Sequence, residues 1–254
     1  MPPKTNRVLD CKRAIAKKVI IQLRRKLGSN LRAAGLSGSV GRGTAEKYSD
    51  IDFLLIVRKA ANNLPRFMIV DDNYCSLGFE TWDSAIRQLT QPSHELPELL
   101  GGFTGILQIY DPQRLLPKLE TRARNVPGEV FRKSAELALL HSYEDFCRVK
   151  NAYLKGDRMV LKDNVLGVTH SAALVVASIN RTSFPSDRMI FKAHREFSKL
   201  PDGFHRIEKL RYGNLRGERL FSTFLGFYLD LIDFAGKEGI SFPVSRQALE
   251  ELDP

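Results

Sequence analysis

The chain changes texture once, and that change limits the folds open to it. Up to about residue 120, short apolar runs are broken by Gly, Pro and Asp. From Val126-Pro127-Gly128 onward, long stretches repeat at helical spacing. Strands followed by helices, rather than strands alternating with them, predict an α+β chain with a mixed sheet first and an all-α helical bundle after it. The expected division is 1–120 and 121–254. At 254 residues the chain can bury two cores of ordinary size.

Within the first part, 10–27 repeats apolar residues as a helix does, and Gly28-Ser29-Asn30 is its stop. Leu31 to Ser39 leads into a glycine-rich turn. Asp50 to Val57 reads as a buried strand, and 67–70 and 74–82 as two more strands joined by Asp71-Asp72-Asn73. A short helix follows over 83–89, capped by Asp83 or Thr81, then a loop over 91–98 and a last strand over 105–110. The second part predicts helices over 129–154, 160–180 and 215–236, with shorter pieces near 187–200 and 203–212.

The formal net charge of +10 is unevenly spread: residues 1–34 carry +9 and residues 35–120 carry −3. A basic helix over 10–27 would attract polyanions, or would simply be the wet face of a helix packed through Ile15, Val19, Ile20, Leu23 and Leu27. The composition, 43% apolar and 27% charged, excludes a disordered or fibrous chain. Cys11, Cys75 and Cys147 are odd in number and widely spaced, which predicts buried thiols in a reducing compartment rather than a disulfide framework or a zinc site. No HxxxH or HxH spacing occurs, so His141 and His170 read as packing residues. The longest nearly uncharged apolar stretch, 171–179, is too short to span a bilayer, and the basic N-terminus lacks a secretory h-region. A cytoplasmic location is expected.

Chemistry concentrates in LSGSVGRGTAEKYSDIDFLLIV, residues 36–57. Gly38, Gly41 and Gly43 let the backbone approach a ligand without Cβ obstruction. Ser39 and the exposed N–H groups of such a turn suit phosphate oxygens, and Arg42 adds a cationic fork. Asp50 and Asp52, two apart on one strand, point to the same face. Two carboxylates beside a phosphate-cradling turn suggest a divalent cation, Mg²⁺ or Mn²⁺, carrying a triphosphate. GxxxxGK[ST], GxGxxG and GxSxG are all absent. The alternative is a glycine turn before a strand whose two acids merely face solvent.

Gly38-Ser39, ten residues, then Asp50-Ile51-Asp52-Phe53 resembles the signature of the nucleotidyltransferase superfamily, which has the polymerase-beta-like fold. The GS-x-x-RG-T and SDID wording is similar to the small two-domain kanamycin and other aminoglycoside nucleotidyltransferases. This resemblance implies that Asp50 and Asp52 hold metal, that Gly38, Ser39 and Arg42 hold the nucleotide's phosphates, and that Ser49 braces the loop. It also implies a third carboxylate on a later strand. Glu80, in Phe79-Glu80-Thr81-Trp82, is the candidate for metal ligand or general base, with Asp71, Asp72 and Asp83 as rivals. Some members draw the base from the helical domain, where Glu136, Glu144 and Asp145 lie, and Lys150 could meet a triphosphate.

The expected activity is Mg²⁺-dependent transfer of a nucleoside monophosphate from a nucleoside triphosphate to an acceptor hydroxyl on a small molecule, RNA or protein, with release of pyrophosphate. Two other classes stay open: a nucleotide-binding regulatory module with the same fold, and a nucleic-acid-binding protein using the basic helix. Trp82, the single tryptophan, reads as core or as an adenine-stacking wall.

Overall fold

The first helix, α1 (Arg7–Leu27), is amphipathic, and Leu9, Ile15, Ala16, Val19, Ile20 and Leu23 form its buried stripe. It covers one face of a five-stranded sheet made by β1 (Leu31–Leu36), β2 (Ile51–Val57), β3 (Phe67–Val70), β4 (Asn73–Thr81) and β5 (Leu107–Tyr110), in the order β3-β4-β2-β1-β5. The computed structural model describes residues 7–61, 63–184 and 189–251. The sheet is mixed: β1 runs antiparallel to β2 and β5, β3 antiparallel to β4, and β2 parallel to β4. Between β1 and β2 lies a five-residue helix, α2 (Gly38–Arg42).

Strand alternation divides β2 between two environments. Ile51, Phe53, Leu55 and Val57 pack with the α1 stripe, Cys75, Leu77 and Phe79 in one core. Asp52, Leu54 and Ile56 point to the opposite face. There Gly35 of β1 lies beside Leu54 and touches Leu116, which belongs to α5 (Leu115–Arg124). Helix α3 (Trp82–Thr90) shares this face with α5. It starts where Thr81 Oγ1 accepts the Ser84 N–H at 3.1 Å, one of the two caps expected.

The backbone divides into two compact units: residues 1–90 with 99–126, and residues 91–98 with 127–254. Beyond residue 127 the described residues of the second unit hold helices and no strand. Its core is built by α6 (Gly128–Leu154), α7 (Arg158–Ile179), α9 (Arg206–Tyr212) and α10 (Gly217–Lys237). The short helices α8 (Ile190–Ala193) and α11 (Arg246–Glu250) complete it. Phe146 of α6 stacks on Tyr228 of α10 at 4.5 Å. The Tyr228 hydroxyl meets Ser142 Oγ at 3.2 Å, leaving this buried phenol with a partner. The fold class is therefore α+β, with the mixed sheet first and the helices after.

Several local expectations need correction. Residues 91–98 are not wholly loop, because α4 (Leu96–Gly102) starts within them. Its Pro97 sits in the first turn, where a missing N–H costs nothing. Cys11 is exposed rather than buried, while Cys75 is buried. His141 is exposed, its ring 4.5 Å from that of His94. His170 is part-exposed and faces Glu98 at 3.0 Å. Among the described residues α7 is long and apolar enough to cross a membrane by length and composition, yet 56% of its apolar window is buried. Residues 187 and 188 of the stretch expected near 187–200 lie outside the described residues.

Candidate active site

The turn from β1 into β2 is fastened at both ends. Ser37 N–H donates to the Asp52 carbonyl at 3.0 Å, so α2 starts directly beside the second aspartate. Gly38 has φ +59, and a Cβ built there would lie 2.2 Å from Asp52 Oδ2. The carboxylate occupies the space that any other residue's side chain would fill. Gly41 is confined from the other side: an added Cβ would stand 2.4 Å from the Leu36 carbonyl oxygen and 2.8 Å from that of Gly105. Arg42 runs along Gly105, with Cγ 2.8 Å from the position of an added Cβ there.

The returning loop is braced within itself. Ser49 Oγ accepts the Glu46 N–H at 2.9 Å, and Thr44 N–H donates to the Ser39 carbonyl at 2.9 Å. A third support comes from α1. Lys12, 2% exposed, donates from Nζ to the Ser49 carbonyl at 2.5 Å and to Asn73 Oδ1 at 2.8 Å. A buried ammonium needs such partners to offset its desolvation. Lys12 therefore ties the residue preceding Asp50 to the start of β4. Sequence reasoning missed it, although its position between Leu9 and Ala16, on the apolar stripe of α1, marks it as a charge buried by the helix period.

The electrostatics follow from this crowding. Burial, reinforced by Asp50 and opposed by Arg42, pushes the Asp52 carboxyl up to about 6. Burial also lowers Arg42 from its usual value, against the pull of Asp52. Ser39 Oγ and Arg42 Nη1 are buried without a hydrogen-bond partner. Such groups are costly unless something satisfies them. A carboxylate crowded by burial and by Asp50, an unpartnered guanidinium nitrogen and an unpartnered hydroxyl thus belong to one turn and the strand beside it. The donor set fits a divalent cation taken up with phosphate oxygens, since Mg²⁺ commonly uses one or two carboxylates plus substrate phosphates.

Glu80 does not join this group. The parallel register sets Asp52 beside Ser76 and Ile56 beside Glu80. Glu80 thus lies four residues further along the sheet, roughly 13 Å at the usual rise. Its Oε2 instead accepts the Ser84 hydroxyl at 2.6 Å. Among the described residues no three His, Cys, Asp or Glu side chains form a metal-binding group. Asp71 and Asp72 sit at the β3–β4 turn with positive φ, and Asp83 is exposed in the first turn of α3.

The acids of α6 are engaged on their own helix, Glu136 with Arg132 and Glu144 and Asp145 with Arg148. Lys150 Nζ donates to the Glu251 carbonyl.

Residues 17–89, which contain this turn and the strand beside it, match the family described as nucleotidyltransferase domain. Over 225 residues the chain is 22% identical to the aminoglycoside nucleotidyltransferase (4') of Staphylococcus aureus, covering 87% of this chain and 89% of that protein. The protein of the same description from a Bacillus species matches to the same extent. The fold resembles that of a nucleotidyltransferase-like protein from Exiguobacterium sibiricum, with a TM-score of 0.54 and 14% identity, over 90% of this chain and 75% of the other. The chain is thus similar to nucleotidyltransferases in its domain match, in its curated relatives and in its fold.

Proposed function

We propose that the protein transfers a nucleoside monophosphate from a nucleoside triphosphate to a hydroxyl of a small-molecule acceptor of the aminoglycoside class, releasing pyrophosphate. The observation that carries this is the seat of Asp52 against Gly38. It sets the carboxylate pair beside a turn whose Ser39 hydroxyl and Arg42 guanidinium have unmet hydrogen-bonding capacity. The acceptor class is taken from the relatives' own description, and similarity to them runs through both units of the chain.

In this reading Asp50 and Asp52 hold Mg²⁺ or Mn²⁺. A bound divalent cation there would offset the carboxylates' repulsion and polarise the phosphates. Arg42 and Ser39, with the backbone at Gly38, bind the β- and γ-phosphates. Lys12 and the Ser49 hydroxyl hold the loop that presents Asp50. The acceptor hydroxyl gives up its proton to solvent as its oxygen attacks the α-phosphorus, the bond to the oxygen bridging to the β-phosphorus breaks, and pyrophosphate leaves.

The experiment is thermal denaturation with ATP, GTP, CTP or UTP, with and without Mg²⁺, on wild type and on Asp50→Ala/Asp52→Ala. A nucleotide at ~100 times its Kd adds about 2.7 kcal/mol. The expected result is a Mg²⁺-dependent upward shift with one or more nucleotides that the double variant loses. No shift with any of the four overturns the proposal. Pyrophosphate release on adding an aminoglycoside tests the acceptor.

Glu80 gives a second check. Removing a general base costs about 10²- to 10⁴-fold, and Glu80→Gln is expected to lower turnover by far less, because its carboxylate lies off the site. A loss of that size in a pyrophosphate-release assay would place Glu80 among the catalytic residues after all.

A further inference from the structure

A second binding cleft lies on the α3/α5 face, towards the other end of β2 from the aspartates. It has a volume of about 570 Å³ and is lined by Trp82, Arg114, Pro117, Lys118, Thr121 and Arg122. The register pairs Val57 with Thr81. Thr81 therefore lies five residues along the sheet from Ser76, the partner of Asp52, roughly 17 Å away, and Trp82 follows it into α3.

Three features define what the cleft would accept. The indole of Trp82 is half-buried and offers a flat apolar wall. Lys118 and Arg122 lie four residues apart, so they stand one turn apart, ~6 Å, along one side of α5, and Arg114, just before the helix, lines the same cleft. The opposite side of that helix is buried through Leu115, Leu116, Leu119 and Ala123. All three cations are exposed, and among the described residues none forms an ion pair. The acids of this helix and its entry are turned to other tasks. Glu120 binds Arg124 and the Gly105 N–H, and Asp111 accepts from the Leu115 and Leu116 N–H groups. Asp83 is exposed next to Trp82 but does not line the cleft.

We infer that this cleft binds single-stranded nucleic acid, with one base stacked on Trp82 and successive phosphates on Arg114, Lys118 and Arg122. An aromatic platform flanked by a line of cations is what sequence-tolerant strand binding requires. The one-turn separation of Lys118 and Arg122, ~6 Å, suits consecutive phosphates of a strand, and Arg114 in the same cleft offers a third contact. The site is independent of the proposed transfer reaction, and either can fail without the other.

Trp82 is the only tryptophan, so its fluorescence reports on this cleft alone. Wild type is titrated with short oligouridylate and oligodeoxythymidylate and with UMP, in EDTA at low salt. The same titrations are run on Lys118→Gln/Arg122→Gln and on Asp52→Asn, with circular dichroism confirming the fold of each. The expected result is saturable quenching by an oligonucleotide, at least tenfold weaker in the double Gln variant, with a shallower salt slope, and unchanged in Asp52→Asn. UMP should quench only at far higher concentration. No quenching, quenching unaffected by Lys118→Gln/Arg122→Gln, loss in Asp52→Asn, or UMP binding as tightly as the oligonucleotide would each overturn the inference.

Discussion

Asp52→Asn is expected to melt higher than wild type at pH 7.5 in the absence of nucleotide, while losing nucleotidyl transfer. The Asp52 carboxyl titrates near 6 in the folded protein against an ordinary value of 3.8. Below about pH 4 it is protonated in both the folded and the unfolded chain and contributes no difference. Between about 4 and 6 the unfolded chain gives up the proton while the folded one retains it. Above 6 the folded protein carries the full cost of a charge crowded by burial and by Asp50. A shift of this size, discounted for the partial exposure of Asp52, corresponds to about 2 kcal/mol. That predicts a gain of roughly 4–8 °C in Tm for a chain of this length. The gain should shrink towards zero at pH 4. Calorimetry at the two pH values checks it, and a variant no more stable than wild type at pH 7.5 would show that Asp52 is not electrostatically stressed. Mg²⁺ with a nucleotide should reverse the ranking, because only wild type keeps the ligand.

Gly38→Ala and Gly41→Ala should fail in different ways although they lie three residues apart. At Gly38 the methyl group meets Asp52 Oδ2, the end of a side chain that can turn away. The positive φ adds about 1 kcal/mol of strain. The fold should survive, but a carboxylate displaced by an ångström costs on the order of 10²-fold in rate. Because the lesion acts through Asp52, the rate losses of Gly38→Ala and Asp52→Asn should not add in the double variant. At Gly41 the methyl group meets two backbone carbonyl oxygens, of Leu36 and Gly105, and neither can move without distorting the sheet. A loss of about 3 kcal/mol is expected there. Gly102→Ala, where the added methyl meets nothing within 4 Å, is the control and should be nearly silent. Urea denaturation of the three variants, with turnover measured alongside, separates the two kinds of damage.

The parts that could be read from the sequence were those marked by periodicity or strong local chemistry. Strand β2 is an apolar run carrying Asp52 and directly preceded by Asp50, and the glycine spacing before it identifies the turn. Strand β1 was not legible, because Arg32-Ala33-Ala34-Gly35 has poor strand propensity. It is a strand because it pairs with β2 on one side and β5 on the other, with Gly35 leaving room for Ile106 and Leu116. Helix α5 was obscured by Pro117, which is harmless in a first turn. The role of Glu80 failed on register. Flanking residues show that 79–82 is strand-like, but which residue of β4 lies beside Asp52 is set by pairing across a crossover, and that residue is Ser76.

The contact from Lys12 to Asn73 spans 61 residues of chain. The loop that presents Asp50 therefore cannot be fully secured while the polypeptide is still short. On the ribosome, α1 and β2 emerge well before β4, and the ammonium of Lys12 then has only the Ser49 carbonyl to hold. The order of synthesis thus lets this loop become rigid only after β4 has followed it out.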